Sequence, residues 1–187
     1  MADAVDEARI GWVRQALSDH ERSLVRYVAR LLGDEEAARE VVQEAYLRLW
    51  RASGESDPRP GADGHLRPWL FTVCRNRALD ALRREGRMRT MELDEAARAP
   101  SPRPGPSEQA EKRESMGRAL EALERLPASQ REVIRLKFQE GLSYKEISAI
   151  TGHSVGNVGT LLHVGIKTLR AALSEDEGVT NARRRTP

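Results

Sequence analysis

Apolar residues return at intervals of three and four along most of this chain, the spacing that places them on one face of an α-helix. Leu24, Val25, Val28, Leu31 and Leu32 form a first stripe, and Gly33 follows as a C-cap. Asp34 is placed to cap a second helix with the stripe Ala38, Val41, Val42, Ala45 and Leu49. Pro68 suits the first turn of a third helix, whose stripe is Leu70, Val73, Cys74, Ala78, Ala81 and Leu82. Met116, Leu120, Leu123 and Leu126 predict a fourth helix. Val133, Ile134 and Phe138 predict a fifth, stopped by Gly141. No strand-like alternation competes with this period.

The best local signal comes next. Ser143-Tyr144-Lys145-Glu146 reads as a capping box, flanked by Leu142 and Ile147 at the staple positions. Gly152 ends this short helix. Ser154 then caps a longer one that carries Val155, Val158, Leu162, Ile166, Leu169 and Leu173 on one face. A short capped helix, a glycine turn and a longer helix make a helix-turn-helix, with the small Ser148 where the two helices cross. A plain α-hairpin is the alternative.

Two stretches interrupt the helical period. Residues 51–66 are rich in Gly, Pro, Ser and Asp and read as a loop. Residues 86–107 contain APSPRPGPS and read as an extended linker. The tail from Ser174 is expected to be disordered. The fold class is all-α: two small helical domains, 1–85 and 108–173, joined by a Pro-rich linker, the second a helix-turn-helix.

Composition narrows the chemistry. Of 187 residues 39% are hydrophobic and 32% charged, which permits small cores rather than one large sheet. One cysteine, Cys74, excludes a disulfide framework and a cysteine zinc cluster, and its place on an apolar stripe makes it a core thiol. No apolar run is long enough to span a membrane, and the acidic N-terminus does not read as a signal peptide, so the expected setting is cytoplasmic. The net charge of +2 hides an uneven distribution. Residues 1–63 are net acidic, whereas residues 64–89 carry seven Arg against two acids. Basic segments beside acidic ones suggest polyanion contact on one surface and a different partner on another. No HExxH, CxxC, GxGxxG or phosphate-loop pattern occurs, and His20, His65, His153 and His163 lack metal-ligand spacing. Nothing in these patterns points to catalytic chemistry, and no cofactor or metal is expected.

Three segments, in order, resemble bacterial sigma factors of the extracytoplasmic-function group. GDEEAAREVVQEAYLRLWR (33–51) looks like the family's docking helix for the polymerase clamp. PWLFTVCRNRALDALRR (68–84) is similar to its helix for reading and melting the minus-10 element. LERLPASQREVIRLKFQEGLSYKEISAITGHSVGNVGTLLH (123–163) is similar to region 4, with its minus-35 helix-turn-helix. The resemblance implies a non-catalytic subunit that directs core polymerase, through clamp and flap, to promoters and assists DNA opening. It implies polymerase contacts at Glu40, Gln43, Glu44, Tyr46 and Trp50. It implies contacts to the melted minus-10 strand at Trp69, Arg75, Asn76, Arg77, Arg83 and Arg84. Contacts to double-stranded minus-35 DNA fall to Lys145, Ser154, Asn157, Thr160, His163 and Lys167. An anti-sigma factor is a further possible partner.

Two departures stand out. An acid is usual in the family where Arg39 stands, and basic residues are usual where Gly159, Leu161, Val164 and Ile166 stand. On a helical wheel Asn157, Thr160, His163, Val164 and Lys167 fall on the outer side of the last helix, with Leu161 at the border. Linker residues Glu92, Asp94 and Glu95 suit a path lined by basic groups. The 22 residues from Gly86 to Ser107 reach at most about 70 Å, enough to connect two promoter-bound domains. Two other readings stay open: a helix-turn-helix regulator that never enters polymerase, and a protein-interaction adaptor or sigma antagonist.

Overall fold

The computed structural model describes residues 2–55, 65–84, 86 and 108–183. Among these residues there are seven helices and no strand. They are α1 (Ala2–Leu32), α2 (Glu35–Glu55), α3 (Leu66–Arg84), α4 (Glu108–Glu124), α5 (Ala128–Phe138), α6 (Tyr144–Thr151) and α7 (Val155–Arg183). They form two compact units, α1–α3 in the first and the main part of α4–α7 in the second. Most of the expected loop 51–66, the linker acids Glu92, Asp94 and Glu95, and the last four residues lie outside the described residues.

In the first unit each helix packs on the other two. Gly33 makes the break between α1 and α2 at φ 75°, and its N–H closes on the Ala29 carbonyl at 2.8 Å. Asp34 then caps α2, its carboxylate accepting from the N–H groups of Glu36 (2.8 Å) and Ala37 (3.2 Å). The core is Leu24, Val28, Leu49, Leu70, Phe71 and Cys74, all essentially inaccessible, with the Tyr27 and Phe71 rings 5.2 Å apart. Burying each large side chain contributes about 1.5–3 kcal/mol. Pro68 sits in the first turn of α3, where its missing N–H costs little, and Thr72 Oγ1 donates back to the Pro68 carbonyl at 2.8 Å.

In the second unit α4 and α5 pack on α7. The α5–α7 crossing is tight at Gly165, where a Cβ would lie 2.7 Å from Ile134 Cδ1 and 3.3 Å from Gln130 Cβ. Gly141 (φ 67°) ends α5, and Gly152 (φ 78°) makes the turn between α6 and α7. The capping box forms as read: the Ser143 N–H donates to Glu146 Oε2 at 2.7 Å, and the Glu146 N–H to Ser143 Oγ at 3.3 Å. Leu142 and Ile147, the staple pair, are both buried. Ser148 Oγ donates to the His153 carbonyl at 2.6 Å and so ties α6 to the turn.

Several expectations need correction. α1 runs from Ala2, far ahead of the stripe at Leu24, and its first half carries a second apolar set that includes Val13 and Ala16. α2 continues to Glu55, so residues 51–55 are helix rather than loop. Met116 (63% exposed), Phe138 (64%) and Val155 (43%) are not core. Phe138 lies one turn beyond the Gly165 crossing on α5, and Val155 lies ten residues before it on α7, so the partner helix covers neither. α7 extends past Ser174 to Arg183, where disorder was expected. No Gly or Pro interrupts Ser174–Glu177, and Ser174 Oγ donates to the Arg170 carbonyl at 2.9 Å.

Candidate functional site

The structure sorts the residues implied for polymerase docking into two faces of α2. Gln43, Tyr46 and Trp50 line a groove of about 430 Å³ against α1, opposite Val13 and Leu17. Glu40 and Glu44 face the other way, into a cleft of about 250 Å³ against α3 that also holds Arg77 and Arg84. Leu47, 48% exposed, stands on the ridge between them. It was missed because it lies off the α2 stripe. An exposed leucine beside an aromatic on a polar face was the available signal, and Leu17 (37% exposed) is its counterpart on α1.

Tyr46 does not project outward. It is 6% exposed, and its hydroxyl donates to the Ala16 carbonyl at 3.1 Å. Burial raises its pKa further above the ordinary tyrosine value. It braces α2 against α1 at the floor of the groove. Trp50 is half-buried, because the Arg9 guanidinium lies 3.8 Å from the centre of its ring. The same guanidinium donates from Nε to Ser53 Oγ at 3.0 Å and through Nη2 to the Trp50 carbonyl. Gly54 leaves the space for it: a Cβ there would fall 2.6 Å from Arg9 Nη1.

The residues implied for the minus-10 element lie along α3. Asn76 and Arg84 are exposed, while Trp69 and Arg75 are half-buried. Arg83 pairs with Asp80 at 2.8 Å within the helix. Arg77 pairs with Glu44 across the α2–α3 cleft. A residue assigned to DNA and one assigned to polymerase thus neutralise each other. With side chains 37% and 50% exposed, this pair contributes at most about 1 kcal/mol and yields readily to a stronger partner. Cys74 behind this face is buried, and burial pushes its thiol up to about 12, so it is protonated and inert.

On the second unit the six residues implied for the minus-35 element are all exposed. Ser154 caps α7, accepting from the Asn157 N–H at 3.2 Å. Asn157, Thr160, His163, Val164 and Lys167 are all exposed on the outer side of α7, and Lys145 is exposed on α6. Leu161 is half-buried at the border. Thr160 Oγ1 donates to the Gly156 carbonyl at 3.2 Å, and Asn157 Nδ2 lies 3.4 Å from His153 Nδ1. This geometry leaves one face of a capped helix open to solvent.

Comparison with known proteins gives the same two parts. The family description Sigma-70 region 2 matches residues 16–88, and Sigma-70, region 4 matches residues 116–169. The chain is 34% identical over 173 residues to the ECF RNA polymerase sigma factor SigL of Mycobacterium tuberculosis, covering 90% of this chain and 92% of SigL. It is 32% identical over 177 residues to the ECF RNA polymerase sigma factor SigE of Mycolicibacterium smegmatis, covering 94% of this chain and 66% of SigE. The sigma factor RpoE of Bartonella quintana, solved in complex with the anti-sigma factor NepR, shares the fold with a TM-score of 0.60 at 24% identity. That match covers 86% of this chain and 96% of RpoE. With both sigma-70 regions in order and a relative matched over nearly its whole length, the chain belongs to the ECF RNA polymerase sigma factors, which direct polymerase to chosen promoters.

Proposed function

We propose that residues 1–85 dock on core polymerase and read the opened minus-10 strand, that 86–107 link, and that 108–173 read the minus-35 duplex. The observation that supports this best is the separation of surfaces on the first unit. An apolar groove with Trp50, Gln43, Leu17 and Leu47 suits a protein partner, with an aromatic anchor and a polar rim. Asn76 and Arg84, exposed on α3, suit a base edge and a phosphate. The docking contacts are Gln43, Leu47 and Trp50. Glu40 and Glu44 act at the cleft edge, where Glu44 holds Arg77 until a phosphate replaces it.

The protein works without catalytic residues of its own, in the compartment that holds polymerase. No helix among the described residues is long and apolar enough to cross a membrane. An anti-sigma protein seated on the α1–α2 groove would compete directly with core. The test is co-elution of the full chain with core polymerase. Gln43→Ala with Leu47→Ala is expected to lower affinity at least tenfold with helicity unchanged. Wild-type affinity in that variant would remove the groove from the docking surface.

A further inference from the structure

The outer face of α7 is smooth and free of lysine and arginine over its first three turns. Gly156, Asn157, Thr160, His163 and Val164 form it, and Lys167 is the first cation on it. Lys167 comes 11 residues after Gly156, about 16 Å further along the axis at the α-helical rise. The commonest specific contact in a major groove is a guanidinium or ammonium on guanine O6 and N7. Nothing in these turns supplies it.

What they supply is different. Asn157 carries an exposed carboxamide on this face, the donor–acceptor fork that matches adenine N6 and N7. Its one side-chain contact is Nδ2 at 3.4 Å from His153 Nδ1, long enough to yield to a base edge. Thr160 commits its hydroxyl hydrogen to the Gly156 carbonyl. It therefore offers a partner its methyl group and oxygen lone pairs, not a donated bond. Val164 is 41% exposed and purely apolar. Methyl-bearing side chains meet the thymine C5-methyl group.

The glycines add an independent observation. A Cβ on Gly156 would meet no other group of the protein within 4 Å, and one on Gly159 only Tyr144 Cε2 at 3.7 Å. Neither has a positive φ. The fold needs neither glycine, and each weakens the helix relative to alanine. Gly165, by contrast, is required by the α5–α7 crossing. Gly156 is exposed and Gly159 half-buried beside Tyr144, and two helix-weakening residues bordering this face fit a surface that a partner approaches to backbone distance.

We infer that α7 selects minus-35 elements rich in A·T pairs: Asn157 reads an adenine, Thr160 and Val164 pack on thymine methyl groups, and Gly156 and Gly159 let the backbone settle close to the DNA. This rests on the reading of α6–α7 as the duplex-binding element and specifies what it reads.

The test uses the full chain bound to core polymerase and a promoter library randomised across the minus-35 element, with the minus-10 element held fixed. Transcripts from initiating templates are sequenced. A·T pairs should be enriched, and G·C replacement at the selected positions should lower initiation tenfold or more. Asn157→Ala should flatten selection at one adenine while leaving the others. Gly156→Leu, which favours the helix, should keep core co-elution and lose initiation at least tenfold. Enrichment of G·C pairs that is indifferent to Asn157→Ala overturns the inference and leaves the duplex-reading assignment standing. A flat profile with full initiation overturns the assignment itself.

Discussion

Gly54 and Arg9 provide a test in which one substitution changes sign with its background. The Arg9 guanidinium lies on the Trp50 ring and hydrogen-bonds Ser53 Oγ and the Trp50 carbonyl. A Cβ at Gly54 would stand 2.6 Å from that guanidinium and would expel it. At a part-exposed site the cation–π contact contributes about 0.5–1 kcal/mol. The hydrogen bonds add about 1 kcal/mol more. Ser53 keeps its own bond to the Trp50 carbonyl at 2.8 Å when Arg9 is gone, which limits the loss. Arg9→Ala should therefore cost about 1–2 kcal/mol. Gly54→Ala gains up to about 1 kcal/mol of helix propensity but forfeits the Arg9 contacts, for a net change between zero and a loss of about 1 kcal/mol. In the Arg9→Ala background nothing remains to expel, and Gly54→Ala should stabilise. The assay is urea unfolding of the four proteins as a double-mutant cycle. A coupling of about 1–2 kcal/mol with the sign inversion is expected. The same Gly54→Ala effect in both backgrounds would refute the seating of Arg9 on the Trp50 ring.

Other perturbations follow from the same structure. Tyr46→Phe removes the bond to the Ala16 carbonyl and should cost about 1 kcal/mol of stability while leaving core affinity unchanged, as titration against core polymerase would show. Glu124→Ala strips a carboxylate from Arg135, whose side chain is 9% exposed, and should cost about 2–3 kcal/mol by denaturant unfolding, discounted from a fully buried pair because Glu124 is 35% exposed. His20 is held below its usual value of 6.5, first by burial and then by the charge of Arg67. The unfolded chain thus takes up this proton more readily than the fold, so the contribution is complete above pH 6.5 and is lost as pH falls below it. His20→Asn should flatten the melting temperature between pH 7 and about 5, and an unchanged slope would exclude His20 as its source.

Helix positions and caps could be read from the sequence because they are set locally. Gly33, Asp34, Gly141, Ser143, Glu146, Gly152 and Ser154 each act through backbone groups within a few residues, and all do so in the structure. The stripe on α2 was read correctly for the same reason: one period and one buried face. Contacts between helices could not be read this way. The resemblance implied a polymerase contact at Tyr46, and only the packing of α1 shows its hydroxyl spent on the Ala16 carbonyl. Glu44 and Arg77, 33 residues apart, belonged to separate assignments until packing joined them. Phe138 and Val155 kept the helical period but lie beyond the reach of the partner helix, which periodicity alone does not report. The outer face of α7 was the exception, since a capped helix with one apolar stripe fixes its opposite side.

The central claim is that one chain carries both the polymerase-docking and the promoter-reading surfaces. Run-off transcription with purified core polymerase tests it most directly, with permanganate footprinting of unpaired thymines on the same templates. The full chain should give transcripts with one defined 5′ end, without hydrolysis of nucleotide for opening, and reactive thymines confined to the minus-10 region. Asn76→Ala should leave promoter binding intact and weaken that reactivity. A chain that binds promoter DNA yet neither joins core nor starts transcripts would contradict the claim and make this protein a helix-turn-helix regulator that acts outside polymerase.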